Sequence, residues 1–126
     1  MSIFVGTKLK IIDNSGATFA KCVEIYKASK YFGAYIGTTV LVSLKNVSPN
    51  KKIKKGDLTK ALIVRYKKPL LRAGGHCLKL SDNAIVLLHN VSLLPRAKRC
   101  KTPLTEEIRF NFINGLKVLS LAPIVI

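Results

Sequence analysis

Short apolar runs alternate with turn residues along the first ninety positions of this chain. Residues 8–12 are apolar and β-branched and stop at Asp13-Asn14-Ser15-Gly16. Asp, Asn and Gly favour such a stop because they bond their own backbone or accept positive φ. Residues 19–26 form the next candidate strand. Phe19, Lys21, Val23 and Ile25 fall on one face, and Ala20, Cys22, Glu24 and Tyr26 on the other. Neither face is wholly apolar, which suits a small barrel. Residues 27–35 are basic and aromatic and read as a loop. Residues 38–46, dense in Thr and Val, read as a strand broken by Pro49-Asn50. After the basic turn of residues 51–57, residues 58–66 give the clearest buried strand, centred on Ala61-Leu62-Ile63-Val64. Lys67-Lys68-Pro69 closes it. Gly74-Gly75 marks a hairpin tip, since paired glycines take positive φ at no steric cost. Residues 77–80 return, and 83–88 make the last strand. Five to six short strands with no helix between them favour an antiparallel barrel over a βαβ sheet.

The last third has a different pattern. Residues 91–101 are irregular and basic. Thr102-Pro103 reads as an N-cap followed by Pro at the first helical position. Leu104, Ile108 and Phe112 recur every four residues and form one apolar stripe. Glu106 and Glu107 fall in the first turn, where negative charge suits the helix dipole. Gly115 reads as the helix stop, and residues 116–122 as a second apolar piece before Pro123. With no repeat and no linker, the pattern predicts one domain over residues 1–126. The barrel takes about 1–90, and a basic loop with short helices takes about 91–126.

Charge narrows the function. Lys and Arg number 22 against 6 acidic residues, a formal +16 over 126 residues. Such a density repels itself unless a polyanion neutralises it. At 48% hydrophobic residues the chain is too apolar for a disordered basic tail. Its longest apolar stretches, 84–88 and 118–122, are too short to cross a bilayer, so no membrane partner is expected. Residues 1–6 read as the start of the fold rather than a secretory signal.

Catalytic constellations are wanting. Asp13, Asp57 and Asp82 each sit beside Asn or Gly and read as turn caps. Glu106 and Glu107 are adjacent on a helix start and diverge by about 100°. His76 and His89 are isolated. Cys22, Cys77 and Cys100 have no metal-ligand spacing and read as small buried or semi-buried hydrophobes. No enzyme activity, cofactor or metal is expected. The basic clusters are the stronger signal: Lys51, Lys52, Lys54 and Lys55; Lys67, Lys68 and Arg72; and Arg96, Lys98, Arg99 and Lys101. Each cation placed on a phosphate releases a counterion, so three such runs point to an RNA or DNA backbone. Tyr26, Tyr31, Phe32, Tyr35 and Tyr66 are candidates for stacking on unpaired bases.

Several segments, in order, resemble the universal large-subunit ribosomal protein L-fourteen family. They are Asp13-Asn14-Ser15-Gly16-Ala17, residues 49–57, Lys60-Ala61-Leu62-Ile63-Val64-Arg65, Asp82-Asn83-Ala84-Ile85-Val86-Leu87, Pro95-Arg96, Glu107-Ile108-Arg109 and Leu119-Ser120-Leu121-Ala122-Pro123. The resemblance implies a small closed five-stranded antiparallel β-barrel with a β-ribbon and short C-terminal helices. It implies a structural, rRNA-binding constituent of the large ribosomal subunit at or near the intersubunit face. The implied partners are large-subunit rRNA, neighbouring ribosomal proteins, small-subunit rRNA at an intersubunit bridge and a ribosome-silencing factor.

The chain departs from the family pattern at Leu80, usually aromatic, and at Gly74, usually Asp, Asn or Ser. A Gly-Glu pair is replaced by Leu93-Leu94, and glycines by Ala97 and Thr102. These departures fall largely in the basic loop. Lys outnumbers Arg 17 to 5, a bias that A+T-rich codons favour. Divergence and bias together suggest a mitochondrial ribosome in the matrix, with a bacterial cytoplasm or another organelle as the alternative. The rival function is a free single-strand RNA chaperone on an OB-like barrel, which requires a clustered aromatic platform.

Overall fold

Strand alternation and turn chemistry close this chain into a barrel. The structure, a computed structural model, describes residues 3–26, 33–49, 53–112 and 114–126. The barrel strands are β1 (Lys8–Ile11), β2 (Ala17–Ile25), β3 (Thr39–Val47), β4 (Leu58–Arg65) and, after a ribbon, β7 (Ala84–Leu87). They hydrogen-bond in the order β1-β2-β3-β4-β7 and close β7 onto β1. Four of the five pairings are antiparallel, and the closing β1–β7 pair is parallel. The ribbon is the hairpin β5 (Leu70–Leu71) and β6 (Cys77–Leu78). Its tip glycines have φ of +87° at Gly74 and +81° at Gly75, the left-handed region their positions predicted.

The register sorts side chains into two sets. Leu9 faces Ala20, which faces Leu44, and Val40, Ala61 and Leu87 lie in one row. These residues, with Ile11, Val42, Ile63 and Ile85, fill the interior and are fully or almost fully buried. On β4 and β7 the outward set is also buried: Leu62, Val64, Ala84 and Val86 all have 0% exposure. The C-terminal segment covers that wall. Thr105 Oγ1 donates to the Val64 carbonyl at 2.8 Å, and Leu104, Ile108 and Val118 join the same apolar cluster. The β1–β2 wall is left bare, with Lys8, Lys10 and Lys21 exposed.

The C-terminal third departs from the single helix that the apolar stripe predicts. Leu104 sits in an extended bridge to Val125. Only α1 (Ile108–Asn111) and α2 (Gly115–Leu119) are helical. Thr102 makes no cap; its hydroxyl is buried without a partner among the described residues. Gly115 opens α2 instead of ending α1, because its missing Cβ lets the two helices touch. A Cβ there would stand 2.4 Å from the Ile108 carbonyl oxygen. The stripe itself is buried as predicted, with Leu104 and Ile108 at 0% and Phe112 at 9% exposure.

Asp13 is more than a turn cap. It is 1% exposed. One carboxylate oxygen accepts from the Ser15 N–H and hydroxyl, and the other accepts from the Leu87 N–H at 3.0 Å. It therefore ties the β1 turn to β7, where the barrel closes. Burial pushes its pKa above the ordinary 3.8, against the lowering pull of these hydrogen bonds and of Lys101. The folded carboxyl thus holds its proton more tightly than the unfolded one. That contribution to stability is fully present below the unfolded value and is lost as pH rises through the folded one. Asp13→Asn is expected to flatten this acid-side slope. Asp13→Ala, which orphans the Leu87 N–H, is expected to cost roughly 1–3 kcal/mol. Urea denaturation from pH 3 to 7 reads both; parallel pH profiles for wild type and Asp13→Asn would refute the first.

Candidate nucleic-acid interface

Strand direction decides which basic runs meet. β1, β3 and β7 run one way along the barrel, and β2 and β4 run the other. The β1–β2 turn, the β3–β4 connection and the segment after β7 therefore gather at one barrel end. Cross-links fix them there: Ser48 N–H donates to the Gly16 carbonyl at 2.8 Å, and Asn14 N–H to the Arg99 carbonyl at 3.2 Å. Lys54, Lys55, Arg96, Lys98, Arg99 and Lys101 thus share one end. Lys67, Lys68 and Arg72 follow β4 and lie at the opposite end with the ribbon. Lys51 and Lys52 lie outside the described residues, as do Tyr31 and Phe32.

The basic side chains differ in freedom. Lys54, Lys55, Lys67, Lys68, Lys98, Arg99 and Lys101 are exposed. The ion pairs among the described residues are Arg65–Asp82, Arg72–Glu107 and Arg109–Glu106, so none of these seven is paired. The turn presenting Lys54 is held by Asp57, whose carboxylate accepts the Lys54 N–H at 2.9 Å. Arg96 is half-buried, and its Nε donates to the Leu88 carbonyl at 2.9 Å. Arg72 grips Glu107 with two nitrogens at 2.7 and 3.1 Å and the Ile126 carbonyl at 2.6 Å. It staples the ribbon to the C-terminus, and Glu107 raises its pKa.

The described aromatic candidates differ in exposure. Tyr66 is buried, and burial pushes its phenol up. Tyr26 lies under Lys60, whose Nζ is 5.4 Å from the ring centre. Tyr35 is exposed. The cysteines divide: Cys22 and Cys100 are buried, each thiol pushed up to about 11, whereas Cys77 is exposed on the ribbon, contrary to the buried reading. Among the described residues, no three His, Cys, Asp or Glu side chains stand close enough to hold a metal.

The basic loop carries one strained residue. Leu93 has φ of +57°, the one positive-φ non-glycine among the described residues, in a turn where Leu93 N–H donates to the His89 carbonyl at 3.1 Å. A Cβ in this region costs roughly 1–2 kcal/mol. Removing the side chain therefore separates strain from packing. Leu93→Gly is expected to be about 1 kcal/mol more stable than Leu93→Ala, the reverse of the usual order. Equal urea midpoints for the two variants would remove the strain reading.

Scanning the sequence run by run misses Lys8, Lys10 and Lys21. They are dispersed along the chain, and pairing of β1 with β2 brings them together, Lys8 directly opposite Lys21. Their one sequence signal is the alternation Lys8-Leu9-Lys10 and Phe19-Ala20-Lys21. Residues 2–126 match the family model described as Ribosomal protein L14p/L23e.

Proposed function

Because the chain belongs to the L14p/L23e family and is a large-subunit ribosomal protein, we propose that it is a structural, non-enzymatic constituent that grips rRNA by the phosphate backbone. The carrying observation is the convergence of Lys54, Lys55, Lys98, Arg99 and Lys101 at one barrel end, exposed and in none of the ion pairs among the described residues. Lys51 and Lys52 belong to the same proposed set by sequence, and Lys67 and Lys68 add contacts at the ribbon end. Arg96 and Arg72 serve first as anchors of the loop and the ribbon, with any phosphate contact made by their remaining nitrogens. Cations on turns fixed to a rigid barrel suit the shape of folded RNA better than base reading. Tyr66 is buried and Tyr26 is covered by Lys60, which disfavours the aromatic platform a single-strand chaperone requires.

The finer placement follows the family resemblance: the intersubunit face, a bridge to small-subunit rRNA, neighbouring ribosomal proteins and a docking silencing factor. Phe110 and Leu116, 79% and 67% exposed on α1 and α2, suit an apolar protein neighbour. The Lys-over-Arg bias and the divergent loop support a mitochondrial ribosome.

The test is binding of isolated large-subunit rRNA across a salt series. The variant Lys54→Ala, Lys55→Ala, Lys98→Ala, Arg99→Ala should lose roughly 0.7–0.9 of log–log slope for each phosphate contact removed, about 3 in all. An unchanged slope and affinity would reassign these side chains to a solvated face.

A further inference from the structure

We propose that the bare β1–β2 wall is a second phosphate-binding surface, formed by Lys8, Lys10 and Lys21, that takes the backbone of a helical RNA segment. The proposal rests on the rRNA-binding reading above and adds to it a surface outside the three basic runs.

Register builds the surface. Lys8 and Lys21 are direct cross-strand partners, and Lys10 pairs with Phe19. Lys8 and Lys10, two residues apart on β1, are separated by about 6.8 Å, comparable with successive phosphates along one strand. Like charges directly opposite on a sheet repel. Among the described residues no acidic side chain forms an ion pair with any of the three; those ion pairs all involve arginines elsewhere. Asp13, at the end of this wall, is buried and turned to Leu87. Glu24, the exposed carboxylate of β2, is in none of those ion pairs. The free protein thus holds opposed cations that lack an ion-pair partner among the described residues.

Two further contacts give the surface its form. Lys8 Nζ lies 4.2 Å from the centre of the Phe19 ring. The ammonium is thereby held on the wall, and it takes one face of the ring. A face occupied by a cation suits a backbone better than splayed bases. Asn83 joins the wall to the ribbon end: its carbonyl accepts the Lys10 N–H, and its Oδ1 accepts the Lys67 N–H, both at 3.0 Å. The Lys10 and Lys67 amides therefore meet at the same residue. The cationic surface runs from Lys21 and Lys8 through Lys10 to Lys67.

Lysine acylation of assembled large subunits, read by mass spectrometry against the free protein, tests this. Lys8, Lys10 and Lys21 should react in the free protein, be protected at least tenfold in the subunit, and become reactive again after ribonuclease digestion. Reactive wall lysines beside protected Lys54 and Lys98 would overturn the wall and leave the earlier interface standing. Protected wall lysines beside reactive Lys54 and Lys98 would do the opposite. Protection that survives ribonuclease would mean a protein covers the wall, and would also overturn the proposal. Independently, Lys8→Gln, Lys10→Gln, Lys21→Gln should fold with no loss of melting temperature, since it relieves repulsion. Its rRNA-binding salt slope should fall by roughly 2–2.7; an unchanged slope contradicts the wall.

Discussion

Ile63→Ala is expected to destabilise the protein by roughly 2–5 kcal/mol, the range for large-to-small changes in a packed core. Ile63 has 0% exposure and lies inside the barrel opposite Ile85 on β7. Its backbone is fixed twice to the segment that leads into β3: its N–H donates to the Thr38 carbonyl at 3.1 Å, and its carbonyl accepts the Gly37 N–H at 2.8 Å. The surrounding strands are closed into a ring, so they have little room to collapse into the void, which favours the upper part of the range. Ile63→Val, one methylene smaller, should cost roughly 0.5–1.5 kcal/mol. Urea unfolding of both variants measures this. A loss below about 0.5 kcal/mol for the Ala variant, typical of a surface position, would place the core elsewhere.

The same residues explain why the barrel was legible in the sequence. The run Ala61-Leu62-Ile63-Val64 has no polar position, and a strand lacks a polar face only when both its faces are covered. The interior covers one face, and the C-terminal segment covers the other. Gly74-Gly75 likewise specified its hairpin through local backbone freedom alone. The C-terminal third was less legible because tertiary contacts override its local signals. Leu104, Ile108 and Phe112 keep helical spacing, yet Leu104 is drawn into a bridge with Val125, so the stripe is buried without one continuous helix. Glu107 reads as a helix-dipole residue, but Arg72, 35 positions earlier, takes its carboxylate.

The candidate interface was legible in composition and only partly in arrangement. Contiguous runs such as Lys54-Lys55 and Lys98-Arg99 are visible to any scan of charge. That two of the three runs meet at one barrel end depends on strand direction, which charge patterns do not encode. Lys8 and Lys21 become a pair only through register. Arg72 illustrates the converse, a cation inside a basic run that the fold turns inward to an internal carboxylate.

Gly115→Ala is expected to cost about 3 kcal/mol, the upper end of the usual overpacking range. The added Cβ would lie 2.4 Å from the Ile108 carbonyl oxygen and 3.0 Å from Arg109 Cα. Both are backbone atoms, so no side chain can swing aside. Relief requires α2 to move off α1, which would unseat Val118 and Leu119 from the core they share with Ile108. Backbone freedom is not the issue, since Gly115 is not among the positive-φ glycines. An Ala at a helical position would otherwise be favourable by roughly 0.5–1 kcal/mol over Gly, so the sign of the effect separates the two roles. A capping or merely flexible glycine predicts a neutral or stabilising change, whereas the close helix contact predicts a large loss. Thermal and urea unfolding of Gly115→Ala decide between them. If the variant melts at or above the wild-type temperature, the two helices do not depend on this approach.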